Sequence, residues 1–161
     1  MRRFRKDAAL VRSRCARGWV PDCLQRCIID NMGAFNAEVE ASLYQRLGGY
    51  DVIAAVVDDL FALMRADCRF ERFGTGRSLD SRRRAQQLTV ELICSASGGP
   101  CYYIGRDMRT AHAELRITES EWGASLELTR KALKNNSIGP QEQSEFMALF
   151  EHYKNDIVET A

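Results

Sequence analysis

Between residues 51 and 67 the chain reads DVIAAVVDDLFALMRAD, with apolar side chains at 52, 53, 56, 57, 60, 61 and 64. Recurrence at three and four residues is the stripe of a helix buried along one face. The period returns in four further stretches. NAEVEASLYQRL (36–47) predicts a short helix that stops at Gly48-Gly49. SRRRAQQLTVELICSASG (81–98) gathers Ala85, Leu88, Thr89, Leu92, Ile93 and Ala96 on one face and ends at Gly98-Gly99-Pro100, a helix stop. Thr118 and Glu121 fit a capping box, in which hydroxyl and carboxylate each satisfy an orphan backbone N–H. Behind it Trp122, Leu126, Thr129 and Leu133 continue one face. The last helix follows Gly139-Pro140, with Phe146, Leu149, Phe150, Tyr153 and Ile157 as its stripe. CRFERFGTGRSL (68–79) reads as a glycine-interrupted loop. No segment alternates with period two for long enough to be a strand, and there is no internal repeat, so the expected class is all-α.

Charge changes this picture at one end only. The 161 residues carry a formal net charge of +1, which argues against nucleic acid or a membrane surface as the main partner. Yet residues 1–31 hold eight Lys/Arg against three Asp, while the remaining 130 hold fifteen Lys/Arg against nineteen Asp/Glu. Residues 1–35 are therefore expected to be a basic extension, disordered or the product of an upstream start codon, and 36–161 the folded domain. No apolar run approaches the ~20 residues of a membrane span. The basic start lacks the apolar core and cleavage site of a secretory signal. Arg-rich starts also occur in transit peptides, but Asp7 and the Cys and Trp content argue against that, so the expected compartment is the cytoplasm.

Six cysteines are present. Without a secretion signal a disulfide framework is not expected, and Cys68, Cys94 and Cys101 read as reduced thiols. Cys15, Cys23 and Cys27 lack the nearby fourth ligand that a zinc site needs. There is no Cys-x-x-Cys-His, so covalent c-type haem attachment is excluded.

Candidate chemistry is sparse. No Gly-x-Ser-x-Gly, phosphate-loop or His-Glu-x-x-His pattern occurs. Asp58-Asp59 read as a solvated helix face. Of two histidines, His152 sits beside the last apolar stripe and reads as surface. His112 follows a basic, Met-containing turn. On the side chain alone it is open between a satisfied buried residue, a surface residue and a metal ligand.

The stretches LYQRLGGYDVIAAVVDDLF, GGPCYYIGRDMRTAHAEL and ITESEW, in this order, resemble the group 1 truncated haemoglobins, small two-over-two helical globins. The resemblance covers about residues 42–159. It implies a two-over-two helical sandwich around haem b, with His112 as proximal iron ligand and the opposite face open to a diatomic gas: oxygen, carbon monoxide or nitric oxide. It places Met108 on the porphyrin and Arg109 at the pocket rim, against a propionate or in solvent. On the distal side the family's tyrosine is matched by Phe61, which cannot donate a hydrogen bond. Ala85 and Thr89 stand at two inward positions of the third helix, with Leu88 beside the latter and Leu92 further along. Gln86 and Gln87 would enter the pocket if that helix were rotated. Where the family commonly has a Phe-Phe pair, this chain has Phe73 and Gly74. The implied function is reversible oxygen binding. The alternatives are a nitric oxide dioxygenase using haem-bound oxygen, which needs a reductase, and a haem-less helical interaction module.

Overall fold

The computed structural model describes residues 41–159, which belong to one compact unit, Ala41–Ala161. The expected boundary at residues 35/36 and the cysteines at 15, 23 and 27 lie outside the described residues. Helix α1, Leu43–Leu47, is held by a capping box in which the Ser42 hydroxyl accepts the Gln45 N–H and the Gln45 side chain accepts that of Ser42. Ser42 takes its N-cap, and the part of the expected helix before residue 41 lies outside the described residues. It ends at Gly48, whose φ of 100° is left-handed and whose absent Cβ leaves room for Val52.

The main helices follow the apolar stripes. They are α2 Tyr50–Ala66, α4 Leu79–Ala96, α6 Glu119–Asn135 and α7 Pro140–His152. The Thr118–Glu121 capping box is present as expected. The segment read as a loop after α2 instead holds a 3₁₀ turn, Cys68–Phe70, and a four-residue helix α3, Glu71–Gly74. Two further short helices are α5, Met108–His112, and α8, Lys154–Ile157. Among the described residues the one β feature is an isolated bridge between Ile117 and Val158.

Helix α2 is the hub, packed on α4 and on α6; α7 packs on α6 and α1, and α5 on α8. Ile53, Val56, Val57, Leu133 and Phe146 are almost wholly buried at the centre. Each such side chain contributes roughly 1.5–3 kcal/mol. Asp58 and Asp59 are not merely a solvated pair. Asp58 accepts from Gln86 of α4 and Asp59 from Asn135 of α6 at 2.7 Å, so adjacent carboxylates tie α2 to both neighbours.

The thiol expectation is corrected for two cysteines. Cys94 and Cys101 form a disulfide, and Cys68 is an exposed free thiol. The cause is the turn at Gly98-Gly99-Pro100, which carries the chain back over the last turn of α4 and brings the two Cα atoms within 5.8 Å. Among the described residues no helix is long and apolar enough to cross a membrane.

Candidate functional site

A cavity of about 770 Å³ opens beside the α2–α4 pair and is closed by α5, α6, α7 and α8. Its size is that of a cofactor site and its walls are predominantly apolar. The stripe predicted for the last helix supplies one wall, through Leu149, Phe150, Tyr153 and Ile157. Periodicity marked these as core; the structure makes them lining.

His112 reaches the cavity from the end of α5. Five residues make a marginal helix, so local hydrogen bonds fix it. Asp107 caps its start by accepting the Thr110 N–H at 2.9 Å, and that bond holds the Asp107 carboxyl below its ordinary pKa. The ring Nδ1 of His112 lies 2.8 Å from the carbonyl oxygen of Met108. A carbonyl only accepts, so Nδ1 is the donor, and in the neutral ring Nε2 keeps its lone pair. Such a bond from the second nitrogen orients a metal-ligating imidazole. Among the described residues no group of three or more His, Cys, Asp or Glu is placed to hold a metal ion. A single imidazole facing an apolar cavity suits a metal whose remaining ligands come with an organic macrocycle. The fit has a second mark: Trp122, 5% exposed and part of the lining, leaves its buried indole N–H without a partner.

Across the cavity from α5, polar hydrogens are turned away. Phe61 lines the cavity and has none to offer. The Thr89 hydroxyl donates to the Ala85 carbonyl at 2.9 Å, inside its own helix. Gln86 donates to Asp58, and Gln87 to the Tyr50 hydroxyl at 2.9 Å and to Glu91 at 3.1 Å. Neither glutamine lines the cavity. Gly74 is in the lining beside Phe73, whose ring carries the Arg72 guanidinium 4.0 Å above its centroid.

Arg72 was not singled out by the sequence, yet it braces the site. It grips Glu121 with two bonds of 2.7 and 2.8 Å and donates to the carbonyls of Leu115, at 2.7 Å, and Arg116, at 2.9 Å. One guanidinium thus joins α3, the segment following His112 and the capping box of α6. It pulls the Glu121 carboxyl down to about 2, helped by the Thr118 hydrogen bonds.

A family model described as bacterial-like globin matches residues 42–159, most of the chain. The chain belongs to the bacterial-like globins. Among this globin's relatives, the group 1 truncated hemoglobin of Mycolicibacterium paratuberculosis is 30% identical over 92 residues, 57% of this chain and 65% of that protein. The match thus takes in a little under two thirds of that relative's length. The group 1 truncated hemoglobin of Tetrahymena pyriformis is 24% identical over 117 residues, 73% of this chain and 94% of the relative. Its crystal structure in the Fe(III) form superimposes with a TM-score of 0.68 at 22% identity, covering 74% of this chain and all of that one. The 2/2 hemoglobin of Synechococcus, solved in the cyanomet state with covalently attached heme, gives a TM-score of 0.67 at 25% identity, covering 73% and 98%. The pairs α2 with α4 and α6 with α7 are accordingly the two layers of a two-over-two globin fold. A globin's cofactor is haem, and the cavity fits one.

Of the residues expected at the site, His112, Met108, Phe73, Phe61, Ala85, Thr89 and Leu92 come together in the lining. Leu88 does not line the cavity, standing one position off the inward row of α4. Nor does Arg109, which faces outward and pairs with Asp156 of α8 at 2.7 Å. His152 is exposed, edge-on to Tyr153. Sequence reading missed Trp122, Phe70 and Met64 as lining. Trp122 carried a signal, an indole one residue past a capping box on an apolar face.

Proposed function

We propose that this globin holds haem b through His112 Nε2 and binds oxygen reversibly on the face opposite the histidine. The observation that carries the reading is the imidazole at the cavity wall, with Nδ1 engaged by Met108 O, which in the neutral ring leaves Nε2 as the free nitrogen. Bound haem would supply an iron able to take the His112 nitrogen and a diatomic gas. The chain does the rest. Met108 O fixes the tautomer, Phe73 and Met108 supply apolar contact, and Phe61, Ala85 and Leu92 exclude water. Thr89 gives the ligand no hydrogen bond while its hydroxyl is held by Ala85. The proposed compartment is the cytoplasm.

An absorption spectrum of the protein reconstituted with haem tests this. A strong Soret band that shifts on reduction and again on carbon monoxide addition is expected. No band after reconstitution would leave only a helical interaction module.

A second reading, nitric oxide dioxygenase served by a reductase, is favoured by one observation. A cleft lined by three arginines opens beside the cavity, suited to receiving an electron donor. Consumption of nitric oxide by the oxygenated protein with a reductant supplied separates it from a carrier.

A further inference from the structure

Among the described residues three large hydrophobic side chains stand exposed: Leu79 at 60%, Tyr102 at 87% and Ile104 at 72%. Scattered singly they would need no explanation, but all three fall in two short stretches of the chain, 77–84 and 102–116. A second cleft, of about 490 Å³, is lined by Arg77, Arg106 and Arg109 and by one acid, Glu114, beside α5. Leu79 lies two residues beyond Arg77 in sequence, and Ile104 two before Arg106. Arg77 and Leu115 line both this cleft and the main cavity, so the cleft borders the cavity mouth.

Charge is segregated onto the same two segments. Residues 77–84 and 102–116 hold seven arginines against three acids, whereas the other described residues hold eight Lys/Arg against fourteen Asp/Glu. Within the cleft Arg109 has its carboxylate partner in Asp156. Neither Arg77 nor Arg106 forms an ion pair among the described residues. A basic cleft whose arginines are flanked in sequence by exposed Leu79, Tyr102 and Ile104 has the composition of a protein-docking surface, in which arginine and aromatic side chains are enriched.

We propose that this cleft docks an acidic, one-electron carrier protein that reduces the haem. The proposal rests on the haem reading given above. In the transfer the donor loses one electron and the ferric haem gains it, with no bond made or broken. The arginines steer the encounter through long-range charge. Tyr102 and Ile104 give it adhesion over the small interface of redox encounters. The cleft's place beside the cavity mouth is what assigns an electron donor rather than any acidic protein.

The probe is a plant-type [2Fe–2S] ferredoxin, an acidic one-electron protein. Its binding to the haem-loaded ferric globin is measured by calorimetry, and the reduction of that globin by photoreduced ferredoxin is followed in the Soret band. Arg106→Glu is expected to weaken binding and slow reduction at least about fivefold at low ionic strength, with the difference collapsing near about 0.5 M salt. Ile104→Ser should weaken binding with little salt dependence. Lys134→Glu, outside both segments, should change neither. Each variant's Soret spectrum is recorded first. If the wild-type protein takes up no haem, the haem reading fails, and calorimetry with the unloaded chain still tests the cleft. If haem is held normally while Arg106→Glu binds ferredoxin like wild type, the docking proposal is wrong. It is equally overturned if the wild-type protein ignores ferredoxin and binds phosphatidylserine vesicles in an Arg106-dependent way.

Discussion

On the α5 side of the cavity a neighbour keeps one ring nitrogen of His112 occupied so that the other is free. On the α2–α4 side the hydrogens of Thr89, Gln86 and Gln87 are drawn off into the protein. Met108 O engages Nδ1 of His112, whereas Ala85 O, Asp58 and Glu91 take the hydrogens of Thr89, Gln86 and Gln87. Both walls obey the rule that polar groups find partners inside a protein. What differs is which group is left over: a lone pair on one side, nothing on the other. A pocket's chemistry is set as much by where its helices keep their own acceptors as by which residues face inward.

The largest break in this contrast is removal of the free lone pair. His112→Ala is expected to abolish stable haem retention, while His152→Ala leaves the Soret band intact. Haem loss from the His152 variant would mean that the iron-facing nitrogen has been misplaced.

Next in size is putting a hydrogen where there is none. Phe61→Tyr adds a hydroxyl on the α2 wall, and a bond to a polarised ligand is worth roughly 1–3 kcal/mol. At about 1.4 kcal/mol per decade, oxygen dissociation should slow roughly tenfold. Carbon monoxide, a poorer acceptor, should change much less. Stopped-flow off-rates for oxygen that match wild type would show that another donor already serves the ligand.

Arg72 ties the segment after His112 to the start of α6, and its effect is read in acid. The Glu121 carboxyl ordinarily titrates near 4.5 and is held at about 2 chiefly by Arg72. A folded-state value below the unfolded one stabilises the fold above pH 4.5, and that contribution drains away as pH falls towards about 2. Urea midpoints followed across this window should fall less steeply in Arg72→Met than in wild type. Parallel curves would mean that the brace contributes nothing to folding. The smallest effect is predicted for Thr89→Val, which removes a hydroxyl already held by Ala85 and should alter oxygen dissociation by less than about twofold. A large change would put that hydroxyl on the ligand.

Much of the fold was legible because α2, α4, α6 and α7 each repeat their apolar stripe over several turns. The short elements were not: Cys68–Phe70 and Glu71–Gly74 span too few residues to display a period. The Cys94–Cys101 bond escaped because a turn, and no pattern, brings the two residues together. Ala85 and Thr89 were readable by counting back from Gly98, since one helix fixes their phase, and Phe61 from the resemblance along α2. Arg72 was not, because its partners lie 43 to 49 residues away and an arginine in a loop announces no partner. Leu149 and Phe150 show a further limit. An apolar stripe looks alike whether it meets other side chains or a cavity.

The glycines give the molecule an uneven tolerance to sequence drift. A Cβ at Gly99 would lie 2.5 Å from the Tyr44 ring, 2.7 Å from Cys94 Sγ and 2.8 Å from the Cys94 carbonyl oxygen. Its neighbour Gly98 has a φ of +85°, which side chains rarely adopt. The Tyr44 N–H also bonds the Ser97 carbonyl at 2.9 Å, fastening α1 to this turn. A side chain at 99 would have to push Tyr44 of α1 away from Cys94 of α4. Gly74 and Gly123 have nothing within 4 Å of the added atom. Alanine at Gly123, inside α6, would even stabilise the helix by roughly 0.5–1 kcal/mol. Descendants of this gene are thus free to vary at 123 and bound to keep 98 and 99.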